Sequence, residues 1–593
     1  MIAQKHITKL IAACMAAAVC LCLCAVAFSS QITAAMGDTG ISMEYEAELF
    51  DTGSILTVNI LMDEADWNDM LENATAEEYY QCDVEINGTT FYRVAIRPKG
   101  NTSLTSIASD PTTDRYSFKL EFDHYVDGQT CFGLDKLILN NNYADATNMK
   151  EALIYDMYRY LGADASLYNY AKISVNGEYW GVYLALEAVE DSFLLRTYGA
   201  QDGELYKPDS MNIGGGNFND DKSDFGTMTP PDMVKEDAAQ PPDGNPGARP
   251  DNGAGFGGGF SASGGADLNY TDDELDSYET IWDGEITSTT KADRKRVVTA
   301  LKNISEGNAL EDYMDIDNLL RYMAVHVFSV NEDSLSGSMA HNYYLYESGG
   351  KLNLIPWDYN LSFGGMGGGK DAASVVNSAI DDAFSITDFF DTLMADEPCH
   401  SQYYAYLQQL VSEYIDGGGF DAFYARVRSQ IDALVETDPT AFYSYDEYLT
   451  AADTLYQVVK LRGESIQGQL DGTLPSTESA QRSSDALVDA SALDISVMGS
   501  MNTGGGQPRG FDFSQSGGEN RDTADTPQQT EEDTPNRGGN FEGRPSMDGF
   551  PGTSGSASPA APTDTLILYG ISLLVFAAAL FFACLYRRRP KKR

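Results

Sequence analysis

The sequence is poor in positive charge: its 593 residues include 39 Lys and Arg against 89 Asp and Glu, a formal net charge of −50 at pH 7. Such a surface repels nucleic-acid phosphates, and no stripe of basic residues suggests otherwise. We therefore expect no DNA or RNA partner. The charge is compatible with divalent cations or basic partners, but it carries no information about the fold.

Cysteine is also scarce between the two terminal apolar runs, the part of the chain in which a disulfide framework or a zinc site would lie. Four of the 8 cysteines lie in the first 24 residues, and another is Cys584. The remaining three, Cys82, Cys131 and Cys399, permit one disulfide, for which Cys82 and Cys131 are the favoured pair. Because no CxxC spacing occurs among these three residues, the sequence argues against zinc.

Two long apolar runs lie near the ends of the chain. Residues 1–35 combine Lys5 and Lys9 with an apolar stretch and small residues, which is the pattern of a signal peptide. Residues 564–586 are long and apolar enough to cross a bilayer, and the basic tail at 587–593 favours a cytoplasmic end. We therefore expect a single-pass cell-membrane protein, anchored through its C-terminal helix, with an extracellular body.

Two other segments have little apolar surface to bury. Residues 212–267 are rich in Gly, Pro, Asp and Met, which predicts a disordered insertion. Residues 473–563 are rich in Gly, Ser, Pro and Asp, which predicts a flexible, low-complexity stalk that leads to the membrane. The folded domain is therefore expected in two parts, residues 45–211 and 268–472.

These two parts differ in their patterns. The first has short alternating runs and Asn-Gly turns at 87–88 and 176–177, which predict a mostly antiparallel sheet with one short helix near residues 65–72. A further helix is expected that Thr147 caps and Gly162 ends. In the second part apolar residues recur at three and four positions, which predicts helices. Those helices are expected at 292–301, 310–320, 386–393, 403–415, 420–435 and 445–461.

One stretch, residues 319–365, carries polar residues at the ends of predicted rigid elements. A helical pattern ends before Asp333, and Asn342 and Asp358 lie at the two ends of a predicted hairpin. Carboxylate and amide oxygens, together with substrate phosphates, are what Mg²⁺ prefers. The same residue types are also good turn formers, and Asp333 can simply cap the end of the helix. Spacing alone does not choose between a metal–phosphate site and ordinary turns.

Two further segments contain residues that suit a nucleotide. The turn at residues 96–103 presents Arg97 and Lys99 beside a glycine, so two cations and backbone N–H groups can meet a polyphosphate. In the strand pattern at 116–122, Lys119 falls on the face opposite the apolar residues. Each signal is weak by itself, because one glycine is not a phosphate loop and a strand lysine is most often only solvated.

Taken together, these segments resemble the spore-coat-protein-H (CotH) kinase family, whose members have an atypical, secreted protein-kinase-like fold. The resemblance covers roughly residues 50–470, apart from the insertion, and its blocks follow the family's order. They are IRPKGNTS (96–103), YSFKLEF (116–122), LILNNN (137–142), TNMKEALIYDMYRYLG (147–162), VNGEYWGVY (175–183), NED (331–333), NYYLY (342–346) and LNLIPWDYNLSFG (352–364). The resemblance implies an α+β, two-lobed kinase-like domain, with a β-rich N-lobe at 45–211 and a helical C-lobe at 268–472.

The resemblance also implies an activity: transfer of a phosphoryl group from ATP, with Mg²⁺ or Mn²⁺, to Ser or Thr of exported or cell-surface proteins. Asp333 would accept the proton of the substrate hydroxyl, and Asn342 and Asp358 would ligate the metal. However, there is no His-Arg-Asp motif, and Asn342 lies nine residues after Asp333 rather than five. An alternative assignment therefore makes both Asp333 and Asp358 ligands of the metal.

By the same resemblance, other residues are assigned to the nucleotide. Lys119 would hold the phosphates together with the cations of the 96–103 turn. Glu151, in the first turn of a predicted helix, would pair with Lys119, and Asp156 is the alternative partner. Glu187, at the end of a strand, would mark the link between the lobes where adenine docks against the backbone.

Two other classes of function stay open. The domain can be a catalytically inactive surface adhesin or binding module, or an enzyme that transfers a nucleotidyl or other group from ATP, because a fold does not determine chemistry. The presence of Lys119, Asp333, Asn342 and Asp358 argues against simple loss of function.

Overall fold

The computed structural model describes residues 41–208, 264–337, 339–366 and 371–501, all within the unit Gly40–Phe511. Several sequence predictions lie outside the described residues: the signal peptide at 1–35, the transmembrane helix at 564–586, the basic tail at 587–593 and most of the insertion and stalk. Among the residues that are described, no helix combines the length and the apolar character needed to cross a bilayer.

The described residues form ten strands in two sheets. The bounds are β1 (Leu56–Leu61), β2 (Tyr80–Ile86), β3 (Thr89–Lys99), β4 (Ser117–Glu121), β5 (Lys136–Asn140), β6 (Tyr168–Val175), β7 (Glu178–Glu187), β8 (Glu204–Tyr206), β9 (Tyr343–Ser348) and β10 (Lys351–Pro356). The first seven close into a barrel in the order β1-β2-β3-β4-β5-β7-β6, and the others form the sheet β10-β9-β8. All pairs are antiparallel except β1 with β6, whose parallel pairing closes the barrel.

Helices lie before, between and after the strands and make the fold a mixed α+β one. They are α1 (Glu44–Glu48), α2 (Glu64–Glu72), α3 (Thr102–Ala108), α4 (Lys150–Leu161), α5 (Asp191–Tyr198), α6 (Glu279–Asp283), α7 (Lys291–Ser305), α8 (Leu310–Tyr313), α9 (Ile316–Ser329), α10 (Ala372–Val376), α11 (Asp391–Ala395), α12 (Glu397–Gln409), α13 (Gly419–Glu436), α14 (Tyr445–Leu470) and α15 (Glu478–Gln481). A π-helical turn, Leu410–Ile415, continues α12.

Two Asn-Gly pairs make the predicted tight turns. Asn87 and Gly88 join β2 to β3 with φ values of 49° and 82°, and Asn176 and Gly177 join β6 to β7 with φ values of 52° and 87°. A two-residue turn that fits strand twist needs positive φ at both positions, which Asn and Gly tolerate best. The hairpins predicted from these pairs are therefore confirmed.

Apolar side chains are buried in two clusters. One gathers residues of the barrel strands and of α2, where Trp67 lies 5.5 Å from the ring of Phe118 and 5.2 Å from that of Trp180. The other joins α4, the sheet β10-β9-β8 and the helices that follow residue 264. Helix α9 is apolar on nearly all sides and is buried accordingly.

The helix predictions need two corrections. The range 310–320 is split between α8 and α9, because the side chain of Asp315 accepts a hydrogen bond from the backbone N–H of Asn318 and starts a new helix. Most of the range 386–393 is not helical, since a helix begins only at Asp391.

The segment 473–501 corrects the expected start of the stalk. Ile495 and Met498 are buried, and the Met498 carbonyl accepts a hydrogen bond of 3.1 Å from the backbone N–H of Ala146. The backbone N–H of Met501 donates to the carbonyl of Gly365 at 2.9 Å. The folded part therefore extends to at least residue 501, because a few apolar side chains in a polar segment dock on the core.

The expected disulfide is absent. Cys82 and Cys131 are both free and buried, and the thiol of Cys82 lies 3.5 Å from the carbonyl of Val94. Burial raises the pKa of Cys82 to about 12 and also raises that of Cys131. These thiols are therefore packing groups of the barrel cluster with little thiolate character.

Candidate active site

A cavity of about 340 Å³ collects most of the predicted site residues. Its wall is formed by β3, β4, β5, the start of α4 and the loops that follow α9 and β10. Seven of the eight predicted site residues line it: Arg97, Lys99, Lys119, Glu151, Asp333, Asn342 and Asp358. Segments far apart in the sequence therefore converge on one space.

Asp333 lies in the loop between α9 and β9, where two neighbours contact its carboxylate. The side-chain amide of Asn342 donates to the Asp333 carbonyl at 2.9 Å and to its Oδ2 at 3.0 Å. His341 Nε2 lies 2.9 Å from Oδ1 of the same carboxylate. Asn342 thus holds Asp333 with its amide nitrogen, which leaves its amide oxygen as the atom suited to a metal.

Asp358 directly follows Trp357 at the end of β10 and adopts a strained backbone conformation. Its φ is 59°, and Asn342 has a φ of 57°. Left-handed backbone is uncommon for residues other than glycine, and such strain is concentrated at functional sites. The side-chain amide of Asn331 donates to the Asp358 carbonyl at 3.2 Å, so the two acidic loops are tied together.

Burial disfavours the charged carboxylates of this cavity. It is the main cause that raises the pKa of Asp358, opposed by the charge of Lys99 and reinforced by that of Asp333. Burial, followed by the charge of Asp358, also raises the pKa of Glu151 to about 8. Oε1 of Glu151 is buried and has no hydrogen-bond partner among the residues that the structure describes. Added positive charge or further hydrogen-bond donors would therefore stabilise the charged form of these carboxylates.

Lys99 is the cation that faces these carboxylates most directly. Its Nζ donates to Oδ1 of Asn140 at 3.1 Å, and the amide nitrogen of Asn140 donates to Oε2 of Glu151 at 2.9 Å. Burial lowers the pKa of Lys99 to about 8, and the charge of Asp358 opposes this effect. Lys99 also lies 5.4 Å from the ring centroid of Trp357. Asn140 therefore bridges a lysine and a glutamate that do not pair directly.

Lys119 does not have the partner expected for it. Its Nζ lies 2.9 Å from Oε1 of Glu190, which also pairs with Lys136. Glu151 interacts with Asn140 instead, and the alternative, Asp156, contacts residues of the helical part. The expected pairing of Lys119 with Glu151 or Asp156 is wrong, because β4 aims Lys119 toward the segment that follows β7.

Arg97 lies at the edge of the cavity. Its guanidinium forms an ion pair with Glu77 and lies 5.3 Å from the ring centroid of Tyr79. The charge of Arg97 is thereby held beside the cavity.

Glu187 lies outside the cavity, and its position does not fit the cofactor role expected for it. It is fully buried, accepts hydrogen bonds from Tyr45 at 2.5 Å and from the backbone N–H of Leu167 at 3.0 Å, and pairs with Arg196 at 2.7 Å. These contacts occupy its carboxylate. Ala188 and Glu190, further along the same segment, line the cavity instead.

Sequence reasoning missed several lining residues. Asn140 stands in a recognised motif, but nothing in the motif indicates that it bridges two charged groups. His341 is adjacent to Asn342, and Lys207 lies 5.7 Å from the ring centroid of Tyr344. Polar residues beside a recognised motif are the signal that could have found the first two, whereas Lys207 carries no local signal.

The charge of the lining suits a divalent cation. Seven acidic side chains outnumber four Lys and Arg; the acidic ones are Glu77, Glu151, Glu190, Asp283, Glu285, Asp333 and Asp358. In the part of the chain that the structure describes, no group of three or more His, Cys, Asp or Glu is placed to hold a metal by itself. A pair such as Asp358 and Asn342, completed by water and phosphate oxygens, is nevertheless the usual manner of binding Mg²⁺.

Comparison with known proteins matches residues 96–466 of the chain to the family model described as CotH kinase protein. This range contains all the cavity residues named above except Glu77. A curated relative, the inner spore coat protein H of Bacillus subtilis (strain 168), is 27% identical over 238 residues, which is 40% of this chain and 52% of the relative. The match therefore spans about half the length of that relative.

Proposed function

We propose that this chain, which belongs to the CotH kinase protein family, is an ATP-dependent protein kinase that acts outside the cytoplasm on Ser or Thr of exported or cell-surface proteins. The observation that carries the proposal is the convergence of Lys99, Lys119, Asp333, Asn342 and Asp358 on one cavity. Kinase chemistry requires cations for the phosphates, metal ligands and a polar group for the acceptor hydroxyl in a single site.

The residues divide into three roles. Asp358 and the amide oxygen of Asn342 would hold Mg²⁺ or Mn²⁺, which when bound neutralises charge on the transferred phosphoryl group. Lys99 and Lys119, from adjacent strands, would bind the phosphates. Asp333, fixed by the amide of Asn342, would orient the acceptor hydroxyl and take its proton.

Lys99 is the stronger candidate for the phosphate next to the metal. Its charge acts directly on Asp358, whereas Lys119 is neutralised by Glu190 at 2.9 Å. The bridge through Asn140 fixes Lys99 without neutralising it, because Asn140 is uncharged. We therefore assign the main phosphate role to Lys99 and an outer role to Lys119.

The architecture proposed with this function is two-lobed. The barrel would be the N-lobe, within residues 45–211, and the helical part from residue 268 would be the C-lobe, extended to at least residue 501. The remaining proposals concern location: a signal peptide at 1–35, a stalk after residue 501 and a membrane helix at 564–586. Together they would place the kinase domain at the outer surface of the cell membrane.

The test uses the purified whole chain with γ-labelled or α-labelled ATP, Mg²⁺ or Mn²⁺, and casein as an added acceptor. Label from the γ position alone, on Ser or Thr, is expected with the wild-type chain. Asp358→Asn should abolish it and Lys99→Met should reduce it about a hundredfold or more, as for lost preorganised charge. Asp317→Asn, an exposed change on α9 away from the cavity, is the matched control and should keep full activity.

The outcomes separate the functions considered. Label from the α position would replace phosphoryl transfer by nucleotidyl transfer. Equal labelling by wild type and Asp358→Asn would refute the assigned site. No label and no metal-dependent binding of ATP would favour a surface binding module.

A further inference from the structure

A buried histidine lies behind the two acidic loops. His326 is on α9, is 1% exposed and is not among the residues that line the cavity. Its ring stacks on Tyr322 with a centroid distance of 5.5 Å and lies 5.2 Å from the ring of Phe384. Both ring nitrogens of this buried histidine have polar contacts.

One nitrogen contacts the loop of Asp358. Nδ1 of His326 lies 3.0 Å from the hydroxyl of Tyr359, the residue that directly follows Asp358. The same hydroxyl lies 2.6 Å from that of Tyr158 on α4. The backbone that carries Asp358 is therefore anchored to α9 and α4 through Tyr359.

The other nitrogen contacts the loop of Asp333. Nε2 of His326 lies 2.7 Å from the hydroxyl of Ser336 and 3.1 Å from that of Ser334. Both hydroxyls donate to the carbonyl of Asn331, at 3.0 Å and 2.8 Å. These contacts fix Asn331, Ser334 and Ser336, which lie on either side of Asp333 in the loop.

Both tautomers of His326 fit these contacts. If Nε2 carries the proton, it donates to Ser336, and Nδ1 accepts from Tyr359. If Nδ1 carries the proton, it donates to Tyr359, and a serine hydroxyl donates to Nε2. Either way both ring nitrogens keep their partners, so the link between the loops does not depend on the tautomer. Burial lowers the pKa of His326 to about 3, so the ring is neutral.

We propose that His326 is a positioning residue that couples the two acidic loops, holding the Asp333 loop through Nε2 and the Asp358 loop through Nδ1. For its effect on catalysis, this inference rests on the proposed kinase function. The coupling of the loops does not depend on that function, since the contacts themselves carry it. The bond from the Asn331 amide to the Asp358 carbonyl is a second link between the same loops.

Two substitutions separate the two contacts. An asparagine amide reaches the position of Nδ1, so His326→Asn keeps the contact with Tyr359 and loses that with Ser336. A glutamine amide reaches the position of Nε2, so His326→Gln does the reverse. His326→Phe removes both contacts while it keeps a buried ring. Tyr403→Phe removes a buried hydroxyl that bonds elsewhere, to the carbonyl of Ile380, and is the matched control.

The primary measurement is backbone amide exchange in the whole chain. His326→Asn should raise exchange in 331–337, and His326→Gln should raise it in 358–363, each about tenfold, the factor expected for one hydrogen bond of ordinary net strength. His326→Phe should raise it in both segments, and Tyr403→Phe in neither. If His326→Phe leaves both segments unchanged, or if Asn and Gln give the same pattern, the proposed coupling is wrong.

Steady-state kinetics distinguish a positioning role of His326 from a purely structural one. His326→Phe should lower kcat at least tenfold with less than about a threefold change in the KM for ATP, because the loops lose alignment while the lysines stay in place. His326→Asn and His326→Gln should each recover part of kcat. A wild-type chain that transfers no phosphate would refute the proposed function, and amide exchange would still decide whether His326 couples the loops.

Discussion

The docking of residues 473–501 predicts that Met498 is a stabilising contact far from the expected end of the domain. Met498 is 1% exposed and belongs to the larger apolar cluster, and Ile495 beside it is 8% exposed. Met498→Ala removes three buried heavy atoms while the backbone hydrogen bond to Ala146 can remain. Large-to-small changes at fully buried methionine cost about 2–5 kcal/mol. A segment near the end of the folded part can partly close the space, so we expect about 2–3 kcal/mol.

The assay is urea denaturation of a soluble segment, residues 41–501, and the quantity is the difference in free energy of unfolding at equal slope. Met394→Ala, the same chemical change at a half-buried position, is the matched control and should cost about 1 kcal/mol or less. A second comparison uses residues 41–472, which lack the whole docked segment and should lose more stability than Met498→Ala does. A loss below about 0.5 kcal/mol, the range of an ordinary surface change, would refute the docking.

Two further predictions concern carboxylates outside the cavity. Glu187→Gln should lower the free energy of unfolding by about 2 kcal/mol or more, because Arg196 loses the charge of its buried partner. The KM for ATP should stay unchanged. A raised KM at unchanged stability would instead support the cofactor role of Glu187. Burial, followed by the charge of Asp315, raises the pKa of Asp164 from 3.8 to about 6. The folded state therefore holds the proton more tightly, and the contribution of Asp164 to the free energy of unfolding should fall as pH rises from about 4 to 6. Asp164→Asn should lack this fall and gain up to about 3 kcal/mol on wild type above pH 6; equal pH profiles of the free energy of unfolding would contradict the assignment.

Local rules account for much of what the sequence predicted correctly. The turns at Asn87-Gly88 and Asn176-Gly177 follow from the backbone freedom of those residues alone. The end of α4 at Gly162, with a φ of 71°, follows from the same preference. Each of these predictions needs only a few neighbouring residues, so it does not depend on the rest of the fold.

The sequence predicted some features of the candidate site and missed others. Its acidic residues stand at the ends of rigid elements, and motifs that match a family place them in the sequence. The partners of its charged groups were not predicted: Lys119 pairs with Glu190, and Asn140 stands between Lys99 and Glu151. Partner choice depends on where strands β3, β4 and β5 direct their side chains, which no local pattern encodes.

The sequence by itself determined the elements with strong local preference, the mixed α+β character and the family motifs that identify candidate residues. Tertiary structure alone decided that β1 pairs with β6 to close the barrel, that residues 473–501 dock on the core and that the carboxylate of Glu187 forms an ion pair with Arg196. These outcomes join residues distant in the sequence, and their free energy comes from burial and pairing that exist only once the chain has folded. A pattern read along the chain contains the side chains, but not the neighbours against which they are buried.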